Sequence, residues 1–253
     1  MRNEAAALNI MIKVQPWQRT SSFIDRMKPV CGASFRYVYP LAGITGPVIL
    51  VLTDNIATIL SSGYDPFQMV ISDLALGPVG WLARMGFCLF GILVIIEAIG
   101  LDHNIRSKKN HTTTLAAFII IGLGFILVAA FNADPHGVET HTLHGWIHGV
   151  TVAVIAVLFP IACLLLVPRL RSDQNWNKLW AYTLVTAVIT VVLDIIRLVM
   201  PAPWRWYGLH ERLMLWNGLL WFEVIGIKLL IVARHKRAEM KEIHGVYHAS
   251  DGS

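Results

Sequence analysis

Charge in this chain is confined to short stretches, and between them lie six apolar runs of about twenty residues each. They cover about Pro40 to Leu60, Gly80 to Leu101, Thr114 to Asn132, Gly145 to Val167, Leu179 to Met200 and Glu211 to Ala233. At roughly 1.5 Å per residue, a run of this length crosses about 30 Å of hydrocarbon as an α-helix. No water is present there to satisfy backbone N–H and C=O groups, so a spanning segment must be a helix or part of a closed barrel. The alternating ten-residue strands of a barrel are absent. Composition closes the soluble alternative: 55% of residues are hydrophobic and 15% charged, where a soluble globule carries roughly 25% charged residues. The sequence predicts an all-α polytopic membrane helix bundle with six transmembrane helices.

The loops set the orientation. Arg2, Lys13, Arg19, Arg26, Lys28 and Arg36 precede the first run, and Arg106, Lys108 and Lys109 separate the second from the third. Arg169, Arg171 and Lys178 separate the fourth from the fifth, and Arg234, Lys236, Arg237 and Lys241 follow the sixth. Residues 61–79 and 133–144 contain no Lys or Arg, and Arg205 alone runs against the pattern. The positive-inside rule then places both termini in the cytoplasm. The expected organisation is a cytoplasmic N-terminal extension over 1–38, a membrane domain over 39–233 and a cytoplasmic tail over 234–253. The first 38 residues have neither a continuous apolar core nor a small-residue cleavage site, so a removable signal peptide is not expected. The same segregation accounts for the net charge of +5 without nucleic acid as a partner. Cys31, Cys88 and Cys163 are scattered, which implies neither a disulfide framework nor a cysteine metal site.

Ionisable side chains inside a span are costly and mark candidate sites. Counted from the run ends, Asp54, Arg84, His148, Asp194, Arg197, Glu211 and Arg212 fall in the outer part of the membrane. Glu223 lies near mid-depth, and Glu97 and Lys228 lie toward the cytoplasm. Two readings overlap. In the structural one these groups pair: Asp194 and Arg197, three apart, meet on one helix face, and Arg84 snorkels to the interface. In the functional one they line an outward-facing, water-accessible cavity. Glu223 and Lys228, five apart, point about 140° away from each other, so Glu223 needs a partner on another helix or a proton.

Histidine forms a second concentration, with His136, His141, His144 and His148 between the third and fourth spans. His144 and His148 share a helix face about 6 Å apart along the axis. That spacing allows two imidazoles to hold one divalent ion such as zinc. Asp134 is the candidate third ligand, with Glu211 or Asp73 as further possibilities from neighbouring loops. The competing reading, which weighs more, has interfacial histidines bonded to loop carbonyls. Haem bound through His148 lacks a second mid-membrane histidine. The loop from Ser61 to Trp81 is long and partly apolar, which suggests packing over the bundle mouth as a lid or re-entrant segment. Within it Asp65-Pro66 signals a turn, and Ser72 with Asp73 is placed to cap a short helix ended by Gly77-Pro78.

Three segments carry a family resemblance. The first is Ser62-Gly63-Tyr64-Asp65-Pro66, then Ile71-Ser72-Asp73-Leu74, Gly77-Pro78 and Trp81. The second is Asp134-Pro135 with Gly145 and His148, and the third is Gly208-Leu209, then Glu211-Arg212-Leu213 and Trp221. In this order, over about residues 40 to 233, they resemble the domain of unknown function 998 family of bacterial and archaeal membrane proteins. The resemblance implies a six-helix bundle in a prokaryotic cytoplasmic membrane, carries no activity, and makes Asp73, Asp134, His148, Glu211 and Arg212 the motif positions. His136, His141 and His144 lie outside the family pattern.

Three function classes follow. An enzyme acting on a lipid or amphiphile at the outer leaflet would use Asp134, His148 and Glu211 as metal ligands or as acid and base, with Arg212 on an anionic group. A proton-coupled carrier would use Asp54, Asp194, Arg197, Glu223 and Lys228 as a relay. A non-catalytic membrane partner or sensor would use the polar groups to specify helix packing, with other membrane-protein subunits as partners alongside membrane lipids. The sequence does not choose among them.

Overall fold

The computed structural model describes residues 21–135, 142–200 and 205–250, and side chains within those stretches from 37 to 238. The chain divides into two units, 1–36 and 37–253. The extension expected over 1–38 and most of the tail beyond 238 therefore lie outside the residues whose side chains are described.

Among the described residues there are seven α-helices, α1 (Ser21–Leu60), α2 (Ile71–Leu74), α3 (Gly80–Asn104), α4 (His111–Ala130), α5 (Leu143–Ser172), α6 (Trp180–Val199) and α7 (Tyr207–Ser250), with a 3-10 turn at Asn177–Leu179. Six of them are long and apolar enough to cross a membrane, α1 contributing Tyr37–Leu60 and α7 Tyr207–Ala238. The spans match the six apolar runs, and the fourth extends beyond its run on both sides to Leu143–Ser172. Its last turns stay helical because Arg169 finds a buried partner. No strand occurs among the described residues. Successive crossings bring residues 61–79, 131–135 and 205–206 to one end of the bundle, called here the α2 end. The basic loops lie at the other, the basic end.

In lipid, apolar side chains gain little by facing one another, so close backbone approach and interhelical hydrogen bonds hold such bundles together. Both are visible. A Cβ at Gly122 of α4 would fall 2.7 Å from the carbonyl oxygen of Gly91 of α3, and one at Gly226 of α7 would fall 2.7 Å from the backbone of Gly43 of α1. Between α6 and α7, Asn217 Nδ2 donates to Thr190 Oγ1 at 2.9 Å and Trp221 Nε1 donates to Thr183 Oγ1 at 3.1 Å. Phe90, Phe118, Phe125, Phe159, Trp221 and Phe222 form an aromatic centre, with Phe118 stacked on Trp221 at 5.1 Å. Leu198 and Ile59 are among the most exposed apolar side chains, as expected of positions facing hydrocarbon.

The basic end is sealed. Arg169 of α5 is 1% exposed and donates from Nη2 to Asp102 Oδ1 of α3 at 2.7 Å and from Nε to the Ser107 carbonyl at 3.2 Å. Asp173 accepts from Arg106 N at 2.8 Å, and Lys236 of α7 donates to Asn104 Oδ1 at 3.1 Å. Ile105, Leu166, Leu170 and Trp176 are fully buried around them. Arg106 and Arg169, read from sequence only as orienting charges, thus also close the bundle.

Candidate functional site

At the α2 end the first loop is fastened to the start of α7. Arg212, 4% exposed, divides its guanidinium among five acceptors. Nη1 donates to the carbonyls of Pro66, Met69 and Gly208 at 2.9, 3.2 and 3.3 Å. Nη2 donates to Tyr64 Oη at 2.8 Å and to Asp54 Oδ1 of α1 at 3.4 Å. The Tyr64 hydroxyl in turn donates to the Val70 carbonyl at 2.8 Å. Burial, partly offset by Arg212, pushes the Tyr64 phenol up to about 12. Gly208 is required here, because a Cβ would run into the carbonyls of Met69 and Pro66. Leu209 N donates to the Phe67 carbonyl at 3.0 Å.

The turn expected at Asp65-Pro66 is present: Asp65 accepts from Phe67 N at 2.9 Å and Gln68 Nε2 at 2.7 Å. These hydrogen bonds, Phe67 N first, hold its carboxyl below the ordinary range. The short helix expected near Ser72 is α2, but the capping differs from the expectation. Its N-cap is Val70, which supplies no side-chain bond. The acceptor for Ile71 N is Glu211 Oε2 of α7, at 2.6 Å. A cap from 140 residues away orients α2 over the bundle mouth, and Asp73 on α2 is close enough to act electrostatically on Glu211.

Beneath this clasp lies a cavity of about 660 Å³, walled by α3, α4, α5, α6 and α7 and roofed by residues 70–72. Its polar rim is His148, Asp194, Arg197, Tyr207, Glu211 and Ser72, and its floor is aromatic, with Phe90, Phe125, Phe159 and Phe222. His148 turns Nδ1 to the Phe131 carbonyl at 2.8 Å. A carbonyl only accepts, so Nδ1 donates in this bond and Nε2 is the ring nitrogen left for other partners. Arg197 lies over the Tyr207 ring, its guanidinium carbon 3.8 Å from the centroid. It forms no ion pair with Asp194 among the described residues, contrary to the local pairing that their spacing suggested. Stacking leaves the in-plane N–H groups of the guanidinium available.

The side walls are incomplete. On α6 the buried positions are Thr183, Thr186, Ala187 and Thr190, and none follows Thr190. On α5 none of residues 152–158 is buried. At 100° per residue, the α5 positions that line the cavity, from Ile155 round to Val157, cover roughly 200° of the helix. That is more than the inward face of a helix in a closed bundle, so the cavity reaches round α5 toward the outer surface.

The proposed metal set does not assemble. Asp134 accepts from Thr142 N at 3.0 Å and Thr142 Oγ1 at 2.5 Å, and Thr142 Oγ1 accepts from Gly145 N at 3.1 Å. Asp134 therefore buttresses the N-cap of α5. His144 is exposed and packs its ring on Phe131 at 5.2 Å, and His148 bonds the same residue's carbonyl. Among the described residues, no three His, Cys, Asp or Glu side chains could hold one ion; His136 and His141 lie outside them. Arg212, expected to hold an anionic group, is occupied by the clasp, and Arg197 is the guanidinium on the cavity. Asp54 pairs with Arg212, while Arg84, Glu223 and Lys228 do not line the cavity. Sequence reasoning passed over Tyr64 and Thr142, whose signals were their places beside Asp65-Pro66 and three residues before Gly145.

A family model described as "Protein of unknown function (DUF998)" matches residues 44–228. No curated protein matches the chain, and no solved structure does.

Proposed function

The chain belongs to the domain of unknown function 998 family, and from that premise, which carries no activity, we propose that it binds an amphiphile of one membrane leaflet. Its hydrocarbon chain lies on the aromatic floor, and its charged head lies at the rim. One observation carries this reading: polar rim and aromatic floor belong to a single cavity whose depth matches one leaflet. From His148 to Phe159 on α5 is about 16 Å at 1.5 Å per residue, against about 15 Å for half of a 30 Å hydrocarbon core. The volume, 660 Å³, lies inside the roughly 300–1,000 Å³ of small-molecule sites.

The rim favours a head group carrying both signs. Arg197 offers N–H groups to a phosphate or carboxylate, and Asp194 and Glu211 face a cation. His148 Nε2, the ring nitrogen not bonded to Phe131, is the one left to meet the head group. The unburied stretches of α5 and α6 form the side door through which a chain enters from the bilayer without leaving hydrocarbon. By the distribution of Lys and Arg, the mouth faces away from the cytoplasm.

The test is mass spectrometry of intact protein in nanodiscs of mixed phosphatidylethanolamine and phosphatidylglycerol. A Cβ at Gly149 meets nothing within 4 Å, and one at Gly218 comes no closer than 3.7 Å to Phe159. Both glycines line the cavity and have room for a Cβ, so Gly149→Leu and Gly218→Leu are the variants that place a side chain in it. Retention of phosphatidylethanolamine by the parent protein, reduced several-fold in both variants and in Arg197→Ala, is the expected result. Equal retention by parent and filled variants would sink the reading.

A further inference from the structure

Beyond the cavity floor, a carboxyl group lies buried inside the span without an ion-pair partner among the described residues. Glu97 of α3 is 2% exposed, and its Oε1 has no hydrogen-bond partner. It lies where α1 and α7 touch through Gly43 and Gly226, and a Cβ at Gly43 would fall 2.5 Å from its carboxyl carbon. Glu223 of α7, one turn before Gly226, is the one charged group among the described residues that acts on it electrostatically. α1 presents Gly43 there, and α4 has no titratable side chain between Thr112 and Ala130. Lys228 follows Glu223 by five positions, about 140° around α7, and does not offset the pair. A bare carboxylate at Glu97 would stand in low dielectric with no donor to its Oε1, a costly arrangement. The neutral carboxylic acid removes that penalty.

We propose that Glu97, enclosed where α1 and α7 touch, is an intramembrane proton-binding site. It sits two turns below the cavity: Phe90, Val94 and Glu97 form one buried stripe on α3, and Phe222 of the floor precedes Glu223 on α7. Proton binding there does not depend on what occupies the cavity.

The experiment uses the full chain in liposomes with the apolar reagent dicyclohexylcarbodiimide, which reacts with protonated carboxyl groups in membranes. Peptide mapping across pH 5.5 to 8.5 is expected to find an adduct on Glu97 that declines as pH rises and is absent from Glu97→Gln. Infrared titration reads the same event without the reagent, as a carboxylic acid band absent from Glu97→Gln that bleaches across this range. Because Gln has the shape of the neutral acid, Glu97→Gln keeps the fold. A band that does not titrate, or no band at all, would overturn the proposal. So would protection from labelling by sodium at fixed pH, which would make the site a cation site.

Discussion

At the basic end, Arg169 reaches across to Asp102 and the gap around the pair is filled by Ile105, Leu166, Leu170 and Trp176. At the α2 end, Arg212 is also buried, yet three of its five acceptors, the Pro66 and Met69 carbonyls and the Tyr64 hydroxyl, belong to the loop that it holds. The first arginine joins helix to helix and leaves no room. The second joins a loop to α7 and, through Asp54, to α1, while α5 and α6 take no part in it, and beneath it they expose their walls to a cavity. A buried guanidinium thus serves either as a plug or as a clasp, according to whether its acceptors belong to a neighbouring span or to a connecting segment.

Breaking the plug has the largest expected effect. Arg169→Ala leaves Asp102 buried without its cation and should cost about 3–5 kcal/mol, whereas Arg169→Met with Asp102→Leu should recover most of that loss. Thermal unfolding in nanodiscs measures both, and equal stabilities for the two variants would remove the plug. Arg212→Ala comes next. It should cost about 1–3 kcal/mol through unpaired buried acceptors, and limited proteolysis should cut within 61–70 before anywhere in the basic loops. Arg212→Lys should not restore protection, because an ammonium cannot fork across five acceptors.

Two glycines at comparable depth sharpen the contrast. A Cβ at Gly124 of α4 would meet Ile155 at 2.8 Å, so Gly124→Leu overpacks and should cost about 1–3 kcal/mol. Gly149→Leu, pointing into open space, should stay within about 0.5 kcal/mol while bound amphiphile is lost. The smallest effect is a titration. The Tyr64 phenol is raised to about 12, so its contribution to stability is complete below pH 10 and is lost between about pH 10 and 12. Ultraviolet difference absorbance of the parent against Tyr64→Phe reads that window, and ionisation of Tyr64 near pH 10 would show the clasp to be open.

The spans could be read from sequence because the penalty for an unpaired backbone in hydrocarbon makes apolar length decisive. The turn at Asp65-Pro66 was equally legible, since its hydrogen bonds are local. The cap of α2 was not: Ser72 and Asp73 stood at the right offset, but the acceptor came from Glu211. Arg197 and Arg212, both placed near the outer end of a span, could not be told apart until one proved to be enclosed by loop carbonyls and the other to lie on a tyrosine ring. Asp102 and Glu97 drew little notice because their significance depends on partners 67 and 126 residues further along the chain.

By itself the sequence determined how many times the chain crosses and which segments are short of charge, because both follow from transfer of single segments between water and lipid. Only the tertiary structure decided which polar groups meet, and whether they seal a gap, hold a loop or face a cavity. That outcome rests on distances between different helices, and no property of one segment contains it.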